Sequence, residues 1–244
     1  MESAVRSARA PVMLLAGLLL SLIVPLTPAA AAEDHLPGID VSHWQGQIDW
    51  AAVKADGVRF AVVKATEGRT FVDNRYAANH SAAEAVQLPV GAYHYAQPDK
   101  TAGDAVAEAD HFVDTAQLKG RNLLPVLDLE EHNGLGPRKL RQWVRAWLER
   151  VEQRLRVKAL IYTSPSFWRD YMGDSGWFAN NGYRLWIAHW NATEPSVPAA
   201  NWGGRGWTLW QHSAKGSVAG ISGDVDLDRY KGTRPKALKI KNNR

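Results

Sequence analysis

The stretch "NLLPVLDLEE", residues 122–131, decides the fold. Leu123, Leu124, Pro125, Val126, Leu127 and Leu129 form a nearly unbroken apolar run, which ends in Asp128, Glu130 and Glu131. A strand with one wet face alternates polar and apolar residues. A run without alternation marks a strand covered on both faces or closed into a barrel. The signature recurs in "GIDVSHW" (38–44), "RFAVVKATEG" (59–68) and "PVGAYHYA" (89–96). It returns in "KALIYTS" (158–164), "RLWIAHW" (184–190), "WTLWQHS" (207–213) and "VDLDRY" (225–230).

Helical patterns fill the early gaps: 49–56, 74–87, 101–118 and 137–155, the last with Pro137 at its first turn. After residue 158 the connecting segments are shorter and rich in Gly, Asn and Trp, with one weak helical pattern at 164–172. Repeated βα units imply parallel strands with right-handed crossovers. The fold class expected is α/β, a single TIM-like β/α barrel with helices reduced in the second half. A doubly wound open sheet is the alternative.

Residues 1–32 read as a secretory signal peptide. Arg6 and Arg9 precede an apolar middle, "VMLLAGLLLSLIVPL" (12–26), and "PAAAA" (28–32) supplies small residues for cleavage after Ala32. The apolar stretch is short for a membrane span and contains Pro25. Residues 33–244 then form one barrel domain with a short basic C-terminal tail, "YKGTRPKALKIKNNR" (230–244), read as frayed and solvated. The product is expected to be secreted and extracellular, with no membrane contact after cleavage.

There are no cysteines, so stability rests on packing rather than disulfides. A formal net charge of +4 is too small and too dispersed to point to nucleic acid. Eleven tryptophans are the compositional peculiarity. Their flat apolar faces with one N–H donor suit the faces of sugar rings as well as a core.

The reactive end of such a barrel is the carboxyl end of its strands. Asp40, Glu67, Asp128, Glu130 and Asp226 would crowd that mouth, with Tyr93 and His94 ending the third strand and His189 and Trp190 the sixth. Asp128 and Glu130 are two apart on one strand, so they share a face about 6.6 Å apart along it. Like charges so close cannot both ionise easily, and one pKa must rise. A neutral acid beside a charged carboxylate is what glycosidic cleavage requires. Rival chemistries lack their signatures. There is no G-x-S-x-G, no thiol, no H-E-x-x-H, no metal-ligand spacing of histidines and no glycine-rich phosphate loop. No metal and no cofactor are expected.

Taken in order, "GIDVSHWQG", "FAVVKATEG", "GAYHYA", "PVLDLE", "LWIAHW", "LWQHS" and "VDLDRY" resemble glycoside hydrolase family 25, the Chalaropsis-type lysozymes, from Gly38 to about Tyr230. The resemblance implies N-acetylmuramidase action on peptidoglycan glycan strands. It implies that Glu130 is the general acid, Asp128 its partner carboxylate, and Asp40 and Asp226 further members of the catalytic set. It maps the mouth tyrosine onto Tyr93. With Glu67, His94, Trp190 and Gln211, Tyr93 makes up the expected substrate-binding set. Asp228 stands where members often carry Asn, and by alternation either aspartate of "VDLD" could face the cleft. A chitinase-like glycosidase and a non-catalytic wall-binding barrel are the rival readings. Val126 stands where the chitinase motif places another aspartate. Nothing in the sequence calls for more than a monomer.

Overall fold

The apolar runs form the strands they predict. The structure, a computed structural model, describes residues 1–2 and 35–241. The expected signal peptide and its cleavage site lie outside the described residues. In chain order the strands are β1 (His35–Val41), β2 (Phe60–Glu67), β3 (Phe71–Val72), β4 (Val90–Tyr95), β5 (Val126–Asp128), β6 (Leu160–Thr163), β7 (Arg184–Ala188), β8 (Leu209–Gly216) and β9 (Val225–Lys231). Neighbours run β1-β9-β8-β7-β6-β5-β4-β2, and pairing of β1 with β2 closes the ring. The short β3 folds back on β2 as an added hairpin strand. The chain is therefore a closed α/β barrel.

One departure from the expected pattern matters for the site. β9 is antiparallel to both β1 and β8, not parallel. Asp226 lies at the start of its strand, and in a parallel strand it would sit on the barrel floor. The reversal puts it at the mouth, opposite Asp40 in the β1–β9 register.

Helices α1 (Trp50–Ala55), α2 (Tyr76–Ala85), α3 (Asp104–Ala116) and α4 (Pro137–Leu155) cover the first half. α4 buries Leu140, Trp143, Val144, Trp147, Leu148 and Val151, the i, i+3, i+4, i+7 stripe of an amphipathic helix. In the second half only α5 (Pro165–Met172), α6 (Trp177–Asn180) and α7 (Pro198–Gly203) remain, all short. Ser164 caps α5 by accepting from Phe167 N at 3.1 Å, and Gly173 ends it in the left-handed region. In α7, Ala199 to Trp202 wind left-handed, with φ between 49 and 56°. That conformation costs roughly 1–2 kcal/mol per residue. Burial of Trp202, whose indole donates to Tyr183 O at 2.8 Å, opposes the cost.

The barrel interior is a packed floor of Phe60, Val62, Leu123, Val126, Leu160, Leu209 and Tyr230. Gly38 makes room for it: a Cβ there would stand 2.2 Å from the Phe60 ring. The basic tail corrects the expectation of a frayed end. Leu238 is buried and joins the floor cluster, and Ile240 is buried too. Leu124 N donates to Leu238 O at 2.6 Å, and Ile240 N to Asn122 O at 2.8 Å. The charged residues of this segment face water while its apolar ones plug the barrel bottom.

Candidate active site

Inward-facing residues change character along each strand. On β1 they run from Gly38 to Asp40, on β2 from Phe60 and Val62 to Lys64, and on β5 from Val126 to Asp128. On β6 they run from Leu160 to Tyr162 and on β8 from Leu209 to Gln211. On the reversed β9 they run from Tyr230 through Asp228 to Asp226. Period-two alternation thus builds an apolar floor under a polar mouth. The mouth opens as a cleft of about 270 Å³. Asp40, Asp128, Glu130 and Asp226 all line it, as do Tyr93, Trp190 and Gln211.

Two expected binding residues do not line it. His94 is fully buried on the outer face of β4. Its Nδ1 meets Thr66 Oγ1 at 2.8 Å, its Nε2 meets Glu108 Oε2 at 2.8 Å, and its ring stacks on Trp147. Burial pushes the His94 pKa down to about 3 and that of Glu108 up to about 8, so the pair packs as neutral groups. Glu67 turns its oxygens to Lys64 Nζ (2.7 Å) and Gln97 Nε2 (3.0 Å). It positions Lys64 instead of facing the cleft.

Several lining residues went unrecognised in the sequence: Ser42, Trp44, Lys64, Tyr95, Tyr162 and Trp186. Lys64 is the cation of the cleft, and its ammonium lies over the Tyr95 ring at 4.8 Å. Gln211 is a clamp. Its Nε2 donates to Asp40 Oδ2 at 2.8 Å, while its Oε1 accepts from Tyr162 Oη at 2.9 Å and Trp190 Nε1 at 3.0 Å. The Trp186 indole donates to Asp228 Oδ1 at 2.9 Å. Asp228 is buried under the cleft, so of the two aspartates in "VDLD" it is Asp226 that lines the cleft.

Every carboxyl of the cluster holds its proton more tightly than an ordinary one. Burial is the main cause at Asp128, followed by the charge of Glu130, and together they outweigh the pull of Lys64. Asp128 Oδ1 is enclosed with no hydrogen-bond partner among the described residues, which further disfavours the ionised form. Glu130 keeps solvent access at the rim, yet the cleft wall still desolvates it and raises its pKa against the opposing Tyr162 hydroxyl. Burial brings Asp226 up to about 6. Asp40 is raised by burial, then by Asp228 and Asp226. The cluster therefore keeps protons to higher pH than isolated carboxyls would. Among the described residues no group of three or more His, Cys, Asp or Glu is arranged to hold a metal ion.

The family model for Glycosyl hydrolases family 25 matches residues 39–221. The chain belongs to glycosyl hydrolase family 25. Lysozyme M1 of Streptomyces globisporus is 39% identical to this family 25 chain over 228 residues, covering 89% of it and 75% of the relative. The N,O-diacetylmuramidase of Chalaropsis sp is 28% identical, over 78% of this chain and 95% of its own. Among solved structures, the bacterial lysozyme from Streptomyces coelicolor superposes with a TM-score of 0.79 at 37% identity, covering 85% of this chain and 97% of that one. The family 25 fold thus extends over nearly all of the described barrel.

Proposed function

We propose that this glycosyl hydrolase is a lysozyme that cleaves the β-1,4 bond from N-acetylmuramic acid to N-acetylglucosamine in peptidoglycan. The observation that carries the reading is the stacking of two inward carboxyls at the mouth, Asp128 within and Glu130 at the rim. The pair keeps a proton to higher pH than ordinary carboxyls do, and Glu130 is the member that can deliver it to the leaving oxygen. Asp128 is its partner carboxyl, and the Lys64 ammonium draws charge onto the pair. Asp40, clamped by Gln211, and Asp226 complete the catalytic set, while Tyr93 and Trp190 contact the sugar rings. Asp128 then orients either the substrate's own acetamido group as internal nucleophile or an attacking water. NMR of the fresh product separates the two, since the first retains the anomeric configuration and the second inverts it.

The decisive test incubates the purified protein with bacterial peptidoglycan and identifies new ends by reduction and mass spectrometry. N-acetylmuramic acid at the reducing end is expected. N-acetylglucosamine ends would overturn the bond assignment. Binding without new ends would return the wall-binding alternative.

The protein acts outside the cell in this reading, exported by residues 1–32. Among the described residues no helix is long and apolar enough to cross a membrane. N-terminal sequencing of the exported product should begin at Glu33. A product that begins at Met1 would refute cleavage.

A further inference from the structure

The cleft has an aromatic shoulder that the carboxylate chemistry does not use. Immediately after β1, residues His43–Gln45 form one 3-10 turn. Ser42 caps it and Gln45 reaches back to Ser42 N at 2.9 Å, so the turn is fixed at both ends of its first cycle. On this turn stands Trp44. It is 82% exposed, although it lines the cleft. Its indole is not loose: it lies against the His43 ring at 4.7 Å between centroids. His43 is held in turn by Asp73, whose Oδ2 meets His43 Nδ1 at 2.7 Å and accepts from His43 N at 3.0 Å. Phe71, 45% exposed on the β3 hairpin, lies 6.1 Å beyond His43 and continues the same surface.

Single exposed apolar residues need no explanation. Trp44 differs because its ring lies against a histidine that Asp73 anchors and because it lines the cleft. A ring braced before binding has already lost the freedom that binding would otherwise remove. The ring order gives the shoulder a direction. Trp44 and Phe71 lie on the β1–β2 side, Trp190 follows β7, and Glu130 follows β5 between them. A chain of sugars crossing the mouth past Glu130 would meet an indole on each side.

We propose that Trp44, braced by His43 and flanked by Phe71, is a stacking platform for a saccharide ring of the glycan strand, beyond the two rings that flank the cleaved bond. This rests on the lysozyme reading and adds the strand length the protein grips. An apolar sugar face covers the indole, and the ring's hydroxyl edge stays in water.

The test pairs binding with kinetics. In a Glu130→Gln background, titration calorimetry with purified glycan strands should show about tenfold weaker binding when Trp44→Ala is added, with most affinity recovered by Trp44→Phe. With Glu130 intact, Trp44→Ala should raise KM on long strands about tenfold, leave kcat unchanged, and change turnover of the shortest cleaved oligosaccharide less than twofold. Trp44 is exposed, so loss of fold is not an issue. Equal affinities with and without the indole would overturn the platform while leaving the lysozyme reading intact. Failure of the unaltered protein to cleave any strand would overturn that reading, and the binding comparison would still decide the platform. Sedimentation supplies the remaining arm. A dimer that Trp44→Ala dissolves would assign the shoulder to self-association and overturn the proposal.

Discussion

Glu130→Gln is expected to leave a folded protein whose cleavage rate has fallen by about a thousandfold or more. A positioned general acid contributes roughly 10²–10⁴ in rate, and this one is asked to protonate a poor leaving group. The loss should fall on kcat, with KM nearly unchanged. Gln keeps the shape of the neutral acid and removes only the proton that moves in the transition state. Glu130 sits at the rim, after β5 has ended, so the substitution should leave the fold intact. The pH profile supplies a second signature. Desolvation raises the pKa of both Asp128 and Glu130, so the competent, singly protonated pair persists to higher pH than ordinary carboxyls allow and is lost as pH rises further. The unaltered enzyme should therefore show an alkaline limb that the residual activity of the variant lacks. A folded variant with wild-type turnover would remove Glu130 from the acid role.

How far this site was legible follows from strand parity. Continuous apolar runs announced buried strands, and the acids at their ends announced a mouth. Parity could have gone further. Tyr93 and His94 are neighbours on one strand, so they cannot both face the cleft. Once Tyr93 points in, His94 must pack outward, where it meets Glu108. Parity also marks Lys64, which follows Phe60 and Val62 on the inward face. The same rule fails at Thr66, which it would turn inward: a register shift between Lys64 and Thr66 breaks the alternation, and Thr66 packs outward on His94. A bulge leaves no compositional trace here. The docked tail was hidden by its charge, although Leu238 and Ile240 alternate as strand residues do. The reversal of β9 was hidden as well, since an alternating segment reads alike in both directions. Only the closed ring of pairings reveals it.

Asp228→Asn should make the protein more stable, by an amount that grows with pH. Asp40 and Asp228 lie together beneath the cleft, with only 6% and 1% of their surfaces exposed. Gln211 serves one oxygen of Asp40 and Trp186 one oxygen of Asp228. Asp228 Oδ2 has no donor among the described residues and faces Asp40, so a proton held between the two carboxyls satisfies both. Burial, then the charge of Asp226, raises the Asp228 pKa well above its ordinary value. The sign follows from proton counting. In the unfolded chain Asp228 ionises near pH 4, whereas in the folded protein it stays protonated, so folding takes up a proton and stability falls as pH rises between the two pKa values. An asparagine in that place donates its amide N–H to Asp40 and accepts from Trp186 without any such uptake. Below about pH 4 the two proteins should unfold at similar temperatures. Each pH unit above that, up to the folded pKa, should open a gap of about 1.4 kcal/mol, or roughly 3–5 °C in Tm for a domain of this size. Thermal unfolding of both proteins across pH 4–8 measures it. A gap independent of pH, or a variant destabilised at pH 7, would mean that Asp228 is ionised in the fold and that Asp40 draws its support from elsewhere.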